Sequence, residues 1–186
     1  MSFDFYKNLY LQHNCVFFEK GDYNLNIFGI REKERRAGKY DDTIGVCYYV
    51  GGKPVFHCWP ATTDPGLYYL ENPINLEGCA ILAPGQYRSA YKLGLHKNKY
   101  PALVQARPVG VYRDSSRDSR LDPIGRVTSG FFGINIHQPF GKSDEIGLSS
   151  AGCQVFSRKA DLDELLKLCE NAARIFGNVF TYTLFS

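Results

Sequence analysis

The sequence predicts a mainly β domain, a β-sandwich or mixed-sheet fold, with one long C-terminal α-helix. Three observations lead to that expectation. The chain carries 13 Tyr and 13 Phe, residue types that strands favour, and its 18 Gly and 9 Pro supply the turns that join short strands. "TIGVCYYV", "GG" and "KPVFHCWPATT" (43–63) form the strongest hairpin signal, two β-branched or aromatic runs across a Gly-Gly turn of type I′ or II′. "DLDELLKLCENAARIFG" (161–177) is the one clear helix. Its Leu162, Leu165, Leu166 and Cys169 recur on one face.

The elements follow in order. Residues 1–20 are rich in aromatics and fit helix or strand. "LNIFGIR" (25–31) alternates as a strand does. After the hairpin, "TDPG" (63–66) and "ENP" (71–73) are turns. "CAILAPGQYRSAYKLGLH" (79–96) holds a Pro-Gly turn and one or two further strands. "ALVQARPVGVYRD" (102–114) is expected as a strand with a bulge or edge position at Pro108. "YRDSSRDSRLD" (112–122) has no apolar content beyond its ends and is expected as a surface turn with local ion pairs. Its Asp114, Asp118 and Asp122 stand too far apart for an oxygen-ligand loop. "GFFGINIH" (130–137) is a strand by composition. The helix 161–176 has Asp161 as its expected N-cap, Glu164 in a capping-box position and Gly177 at its end. "VFTYTLF" (179–185) is a last strand. No repeat or linker interrupts the 186 residues, so a single domain spans 1–186.

Composition excludes several classes of function. A net charge of +3 is too small for a nucleic-acid footprint, though it suits approach to an anionic surface. The basic run "REKERRAGK" (31–39) is broken by two glutamates and fits a solvated loop. No apolar run approaches the length of a membrane span, so no stable membrane insertion is expected. The N-terminus lacks the pattern of a signal peptide, which implies cytoplasmic synthesis. The six cysteines have irregular spacings, with no C-x-x-C and no paired Cys/His ligand spacing. Free thiols are therefore expected, with no metal and no organic cofactor. Cys47, Cys58, Cys79 and Cys169 fit buried apolar positions. The sequence sets no oligomeric state.

The chemistry concentrates in "GINIHQPFGKSDEIGLSSAGCQVFS" (133–157). His137 ends an apolar strand, and Cys153 follows 16 residues later behind "SSAG". Cysteine catalysis requires a thiolate, which a neighbouring imidazole can generate by taking the thiol proton. Gly152 lets the backbone turn closely around a reacting carbonyl, and successive N–H groups there can form an oxyanion hole. Ser149 and Ser150 can orient the histidine, donate to a substrate oxygen or shape the turn. The other histidines fit lesser roles: His57 a structural partner on the Trp59 face, His96 an exposed polar turn or a flap bordering the site.

His137, Ser150, Gly152 and Cys153 together resemble the His…Ser-x-Gly-Cys signature of the YkuD-type L,D-transpeptidases. The hairpin 43–59, "ATTDPG" and "APGQY" follow the order of that family's domain, so the resemblance covers 43–156. It leaves out the N-terminal 40 residues and the helix 161–176. The resemblance implies that Cys153 attacks a peptidoglycan stem-peptide carbonyl and that His137 activates it, then protonates the leaving amine. It further implies that the N–H groups of Gly152 and Cys153 hold the oxyanion, with Ser150 supporting the turn. The acyl-thioester then passes to water or to an amine. Two positions depart from the pattern. Gln154 and Val155 replace the usual hydrophobic residue and arginine, and Ala151 replaces a common histidine. The arginine's role would fall to Arg158, Arg88 or Arg126, and Ser149, Ser150, Arg158 and Tyr87 are the candidate substrate-binding side chains. Without a signal peptide, the expected function is cleavage of peptide cross-links by a phage-type endolysin, made in the cytoplasm and acting at the bacterial wall after release. Cross-link formation by a true transpeptidase, a cysteine amidase or peptidase with a non-wall substrate in the cytoplasm, and a silent virion module of the same fold are the alternatives.

Overall fold

A computed structural model describes residues 2–33, 37–123, 125–141 and 145–186. Its elements run α1 (Phe3–Gln12), β1 (Asn26–Ile30), β2 (Asp42–Val50), β3 (Lys53–Thr62), α2 (Leu67–Glu71), β4 (Cys79–Leu82) and β5 (Gly85–His96). They continue with β6 (Tyr100–Gln105), β7 (Val109–Asp114), β8 (Thr128–Gly130), β9 (Ile136–His137), β10 (Gln154–Phe156), α3 (Lys159–Phe176) and β11 (Phe180–Phe185). Strand makes up 39% of the described residues and helix 19%, so the fold is mainly β with a C-terminal helix.

The hairpin expected at 43–63 is β2–β3, paired without a break from Asp42↔Ala61 to Val50↔Lys53. Its turn puts Gly51 at φ 55° and Gly52 at φ 74°, the doubly positive pair that a type I′ turn needs. Around this hairpin the main sheet closes on itself in the order β1-β11-β5-β6-β9-β10-β3-β2. The sheet is mixed, because β1 runs parallel to β11 and β9 parallel to β10. Where a sandwich or mixed sheet was expected, the mixed sheet forms a barrel. A separate three-stranded sheet, β4-β7-β8, packs beside it.

Strand alternation divides the apolar residues between two faces. Ile27, Ile44, Val46, Trp59, Tyr182 and Leu184 enter the principal core, which α3 joins through Leu162, Leu165, Leu166, Cys169 and Ala172. Phe28, Cys47 and Phe185 face the other way and are covered by Phe3, Tyr6 and Tyr10 of α1. The ambiguous N-terminus is therefore a helix. Ser2 caps it, its Oγ accepting the Phe5 N–H at 3.2 Å. All six cysteines are free, with Cys47, Cys79, Cys153 and Cys169 buried and Cys15 and Cys58 half-buried.

Four local expectations change. The strand expected over 102–114 is two strands in two sheets, β6 and β7, and Pro108 lies where the chain passes between them. The strand expected over 130–137 survives only at its ends. The N–H groups of Phe132, Gly133 and Ile134 all turn to the Gln105 side-chain oxygen at 3.0–3.2 Å, so they pair with no strand. Asp161 does not cap α3. Arg158 occupies the N-cap position, and its guanidinium holds the Asp161 carboxylate at 2.8–2.9 Å. In the acidic loop, the buried Asp114 carboxylate accepts the Ser116 N–H, the Ser116 hydroxyl and the Asp122 N–H in place of arginine partners. Part of the basic run, 34–36, lies outside the described residues.

His57 behaves as expected: its ring lies 5.6 Å from Trp59, nearly parallel, and Nε2 sits 3.4 Å from the Tyr48 hydroxyl. Among the described residues, no helix is long and apolar enough to cross a membrane.

Candidate active site

The parallel pairing of β9 with β10, Gln154↔Ile136 and Val155↔His137, brings the two halves of the predicted motif together. His137 ends β9, and Cys153 immediately precedes β10. Leu103 of β6 pairs with Ile136, so the tip of the β5–β6 hairpin, with His96, reaches the same place. His96 is therefore not an exposed turn residue. It is 7% exposed, and its ring stacks on His137 at 4.0 Å between centroids. Cys153 Sγ and a ring nitrogen of each histidine lie within 4.8 Å of one another.

The Cys turn is held from both sides. Ser150 Oγ donates to the Cys153 carbonyl at 2.7 Å and accepts the Gly152 N–H at 3.1 Å. Ser150 thus shapes the turn, and the Gly152 N–H expected in the oxyanion hole is engaged there. Ser149 Oγ accepts the Phe140 N–H and donates to the Phe140 carbonyl, pinning the segment after β9 onto the turn. Gly152 adopts φ +121°, and a Cβ there would stand 2.3 Å from the Ala80 carbonyl oxygen of β4. Only glycine fits. Gln154, one of the departures from the family pattern, is wholly buried. Its amide donates to the carbonyls of Thr63 and Gly152, and its oxygen accepts from the Tyr182 hydroxyl at 3.0 Å.

The thiol and the two imidazoles are each oriented. Cys153 Sγ lies 3.3 Å from the Gly133 carbonyl, to which S–H donates, and accepts the Asn135 N–H at 3.5 Å. Burial pushes the thiol up to about 11, against the lowering effects of that N–H and of Lys97. His137 Nδ1 lies 2.6 Å from the Gln138 carbonyl, which can only accept, so Nδ1 carries the hydrogen and Nε2 is a bare lone pair. Burial, aided by His96 and Lys97 and opposed by the Gln138 contact, lowers His137 to about 3. Asn135 Oδ1 accepts the Gln105 N–H at 2.9 Å, which turns its amide nitrogen toward His96 Nδ1 at 3.0 Å. His96 Nδ1 is thus the acceptor, and neutral His96 carries its hydrogen on Nε2. Burial and Lys97 lower His96 as well. At neutral pH the site holds a thiol and two uncharged imidazoles of opposite tautomer.

His96, His137 and Cys153 could be a metal-ligand set by composition alone. The Asn135 amide argues against it, because the hydrogen it fixes on His96 Nε2 lies where a metal bond would form.

A cavity of about 180 Å³ opens at Cys153, lined also by His96, Lys97, Gly133, Ser149 and Ala151. A neighbouring cavity of about 310 Å³ shares Ile74, Phe132 and Ala151 with it, and its charged wall is Arg113. The Arg113 guanidinium lies 5.1 Å over the Phe132 ring and donates to the Gly78 carbonyl at 3.2 Å, while its Nε is buried without a partner. A further cavity, about 510 Å³, lies elsewhere, around Arg31 and Asp64. Those two charges already pair with each other at 2.7 Å.

The predicted residues divide accordingly. Cys153, His137, Gly152, Ser150 and Ser149 come together. Arg158 is paired with Asp161, and the Tyr87 hydroxyl reaches the Ala83 and Gly110 carbonyls. Neither lines the Cys153 cavity. Asn135 and Gln105, which orient His96, and Arg113 in the neighbouring cavity were not singled out by the sequence, and His96 was singled out there only as an exposed turn or a bordering flap.

These features define a buried cysteine–histidine site at one end of a small mixed barrel. Set beside known proteins, the chain matches no protein family, no curated protein and no solved structure.

Proposed function

We propose that the protein is a cysteine-dependent acyl-transfer enzyme of L,D-transpeptidase-like fold acting on peptidoglycan stem peptides, with cleavage of cross-links, as in a phage-type endolysin, as its direction. The observation that carries the acyl-transfer reading is the Cys153 thiol standing within 4.8 Å of a ring nitrogen of His137, whose Nδ1–H is tied to the Gln138 carbonyl. That tie leaves a proton acceptor beside the nucleophile. The choice of stem peptides rests on the resemblance of His137, Ser150, Gly152 and Cys153 to the transpeptidase signature.

In this mechanism the thiol attacks while still protonated. As Sγ bonds to the substrate carbonyl carbon, its proton passes to His137 Nε2 and the carbonyl π pair moves onto oxygen. Collapse of the tetrahedral intermediate breaks the C–N bond, and His137 returns the proton to the departing amine. Water or an amine then repeats the sequence on the thioester. Arg113, in the adjoining cavity, is the proposed anchor for a substrate carboxylate, a role its fork geometry suits. It replaces Arg158, Arg88 and Arg126 as the candidate for the missing family arginine.

A silent binding module of the same fold is a second reading. It is favoured by the 8% exposure of Cys153 and by the raised position of its thiol. Mass spectrometry of muropeptides incubated with the protein separates the two. New stem-peptide ends that disappear with Cys153→Ala are expected of the enzyme, and an unchanged profile with folded protein of the module.

A further inference from the structure

We propose that His96 is a second catalytic residue, donating its Nε2–H to the oxyanion formed on the substrate carbonyl during attack by Cys153. The inference rests on the acyl-transfer reading above and assigns a group to a task that reading leaves short-handed. An oxyanion formed beside Cys153 needs donors. The turn offers the Cys153 N–H, but the Gly152 N–H is already given to Ser150 Oγ. His96 supplies the missing donor.

Its hydrogen is positioned by a chain of groups with no freedom to invert. The Gln105 N–H is a backbone donor, so the Asn135 atom 2.9 Å from it must be the oxygen. The other end of that amide, the Nδ2 donor, then faces His96 Nδ1 at 3.0 Å. An imidazole that accepts at Nδ1 and stays neutral must carry hydrogen at Nε2. That Nε2 is buried and has no hydrogen-bond partner, as is His137 Nε2. Two buried unpartnered nitrogens, one in each of two stacked rings beside a thiol, are costly unless something uses them.

The opposite tautomers divide the work. His137 gives its Nδ1–H to the Gln138 carbonyl and offers a lone pair, so it takes the thiol proton. His96 accepts at Nδ1 and offers an N–H, so it holds the developing oxygen charge without transferring a proton. The Asn135 main chain serves the nucleophile as well: its N–H reaches Cys153 Sγ at 3.5 Å. One residue therefore orients the donor histidine and touches the nucleophile. Lys97, next in sequence and lining the same cavity, adds positive charge where the oxyanion would form.

Two measurements test this. Nitrogen-15 NMR of the histidine rings in the wild-type protein at neutral pH is expected to show His96 as the Nε2–H tautomer and His137 as the Nδ1–H tautomer. An Nδ1–H tautomer or a charged ring at His96 overturns the proposal whatever the activity. Kinetics on muropeptides then compare His96→Phe, which keeps a stacked ring, with His96→Gln, which restores an amide N–H at similar reach. His96→Phe is expected to lower kcat about 10²- to 10³-fold, the usual effect of removing one oxyanion donor, with KM little changed. His96→Gln is expected to recover part of that loss. Equal rates for wild type and His96→Phe overturn the donor role and leave the Cys153 chemistry standing. A wild-type protein with no Cys153-dependent product overturns the acyl-transfer reading itself, and the His96 role with it.

Discussion

Replacing Gly152 with Ala probes how tightly the nucleophile's turn is built. The added Cβ would stand 2.3 Å from the Ala80 carbonyl oxygen, and ordinary contact begins at 3.4 Å, so turn and strand must separate by about 1 Å. Overpacking of that size costs about 1–3 kcal/mol. The backbone at φ +121° is closed to a residue with a Cβ, a further cost of about 1–3 kcal/mol. The midpoints sum to about 4 kcal/mol. With an unfolding entropy of about 2.1 cal/mol/K per residue, that is a fall in Tm of about 10 °C. Gly51→Ala is the control, because nothing lies within 4 Å of its Cβ and only its φ of +55° opposes the change. Its cost is about 1–2 kcal/mol. Thermal or urea unfolding of both variants decides the matter. A Gly152→Ala shift no larger than that of Gly51→Ala would refute the close approach of the turn to β4.

Other perturbations have equally definite outcomes. Arg31→Ala removes the guanidinium that pairs with Asp64 at 2.7 Å and donates to Thr63 and Leu82 in the interior. Leaving the Asp64 carboxylate buried and unpaired is expected to cost about 3–5 kcal/mol in urea unfolding. A loss below about 1 kcal/mol would mean that the pair is exposed in solution. Arg113→Ala is expected to raise KM at least about tenfold on substrates with a free carboxylate, the worth of one charged hydrogen bond. It should leave amidated substrates unaffected, and an equal effect on both would remove Arg113 from recognition. The pH profile follows from the positions of the two partners. His137, lowered to about 3, is neutral above that pH, and Cys153, raised to about 11, is protonated below it. The active thiol–imidazole pair therefore persists between those limits, and kcat/KM is expected to be flat from about pH 5 to 9. A limb centred between about 6 and 8 would show an ordinary imidazole and contradict the buried site.

What could be read from the residues depended on how local each interaction is. The β2–β3 hairpin needs only two β-rich runs and Gly51-Gly52 between them, and α3 needs only its apolar stripe, so both were legible. Barrel closure was not, because it depends on β1 pairing in parallel with β11 from the opposite end of the chain. The same reason hid the burial of His96 against His137. Its run "LGLHKNKYPALV" resembles a polar hairpin tip, and only the Leu103↔Ile136 pairing carries that tip to His137. Cys153, Gly152 and Ser150 were legible because the turn's geometry is encoded within four residues. Arg158, near the motif in sequence, is drawn to Asp161 one helical turn on and does not line the Cys153 cavity. Arg113 reaches the neighbouring cavity from β7, in a sheet whose packing against the barrel no short motif records.

Mass spectrometry of intact sacculi and purified muropeptides incubated with the wild-type protein and with Cys153→Ala decides whether Cys153 carries acyl transfer on stem peptides. New stem-peptide ends, or exchanged terminal residues, are expected with the wild type and none with the variant, together with a trapped thioester at Cys153 on rapid acid quench. An unchanged profile from folded wild-type protein, or the same products from Cys153→Ala, would contradict that role of Cys153.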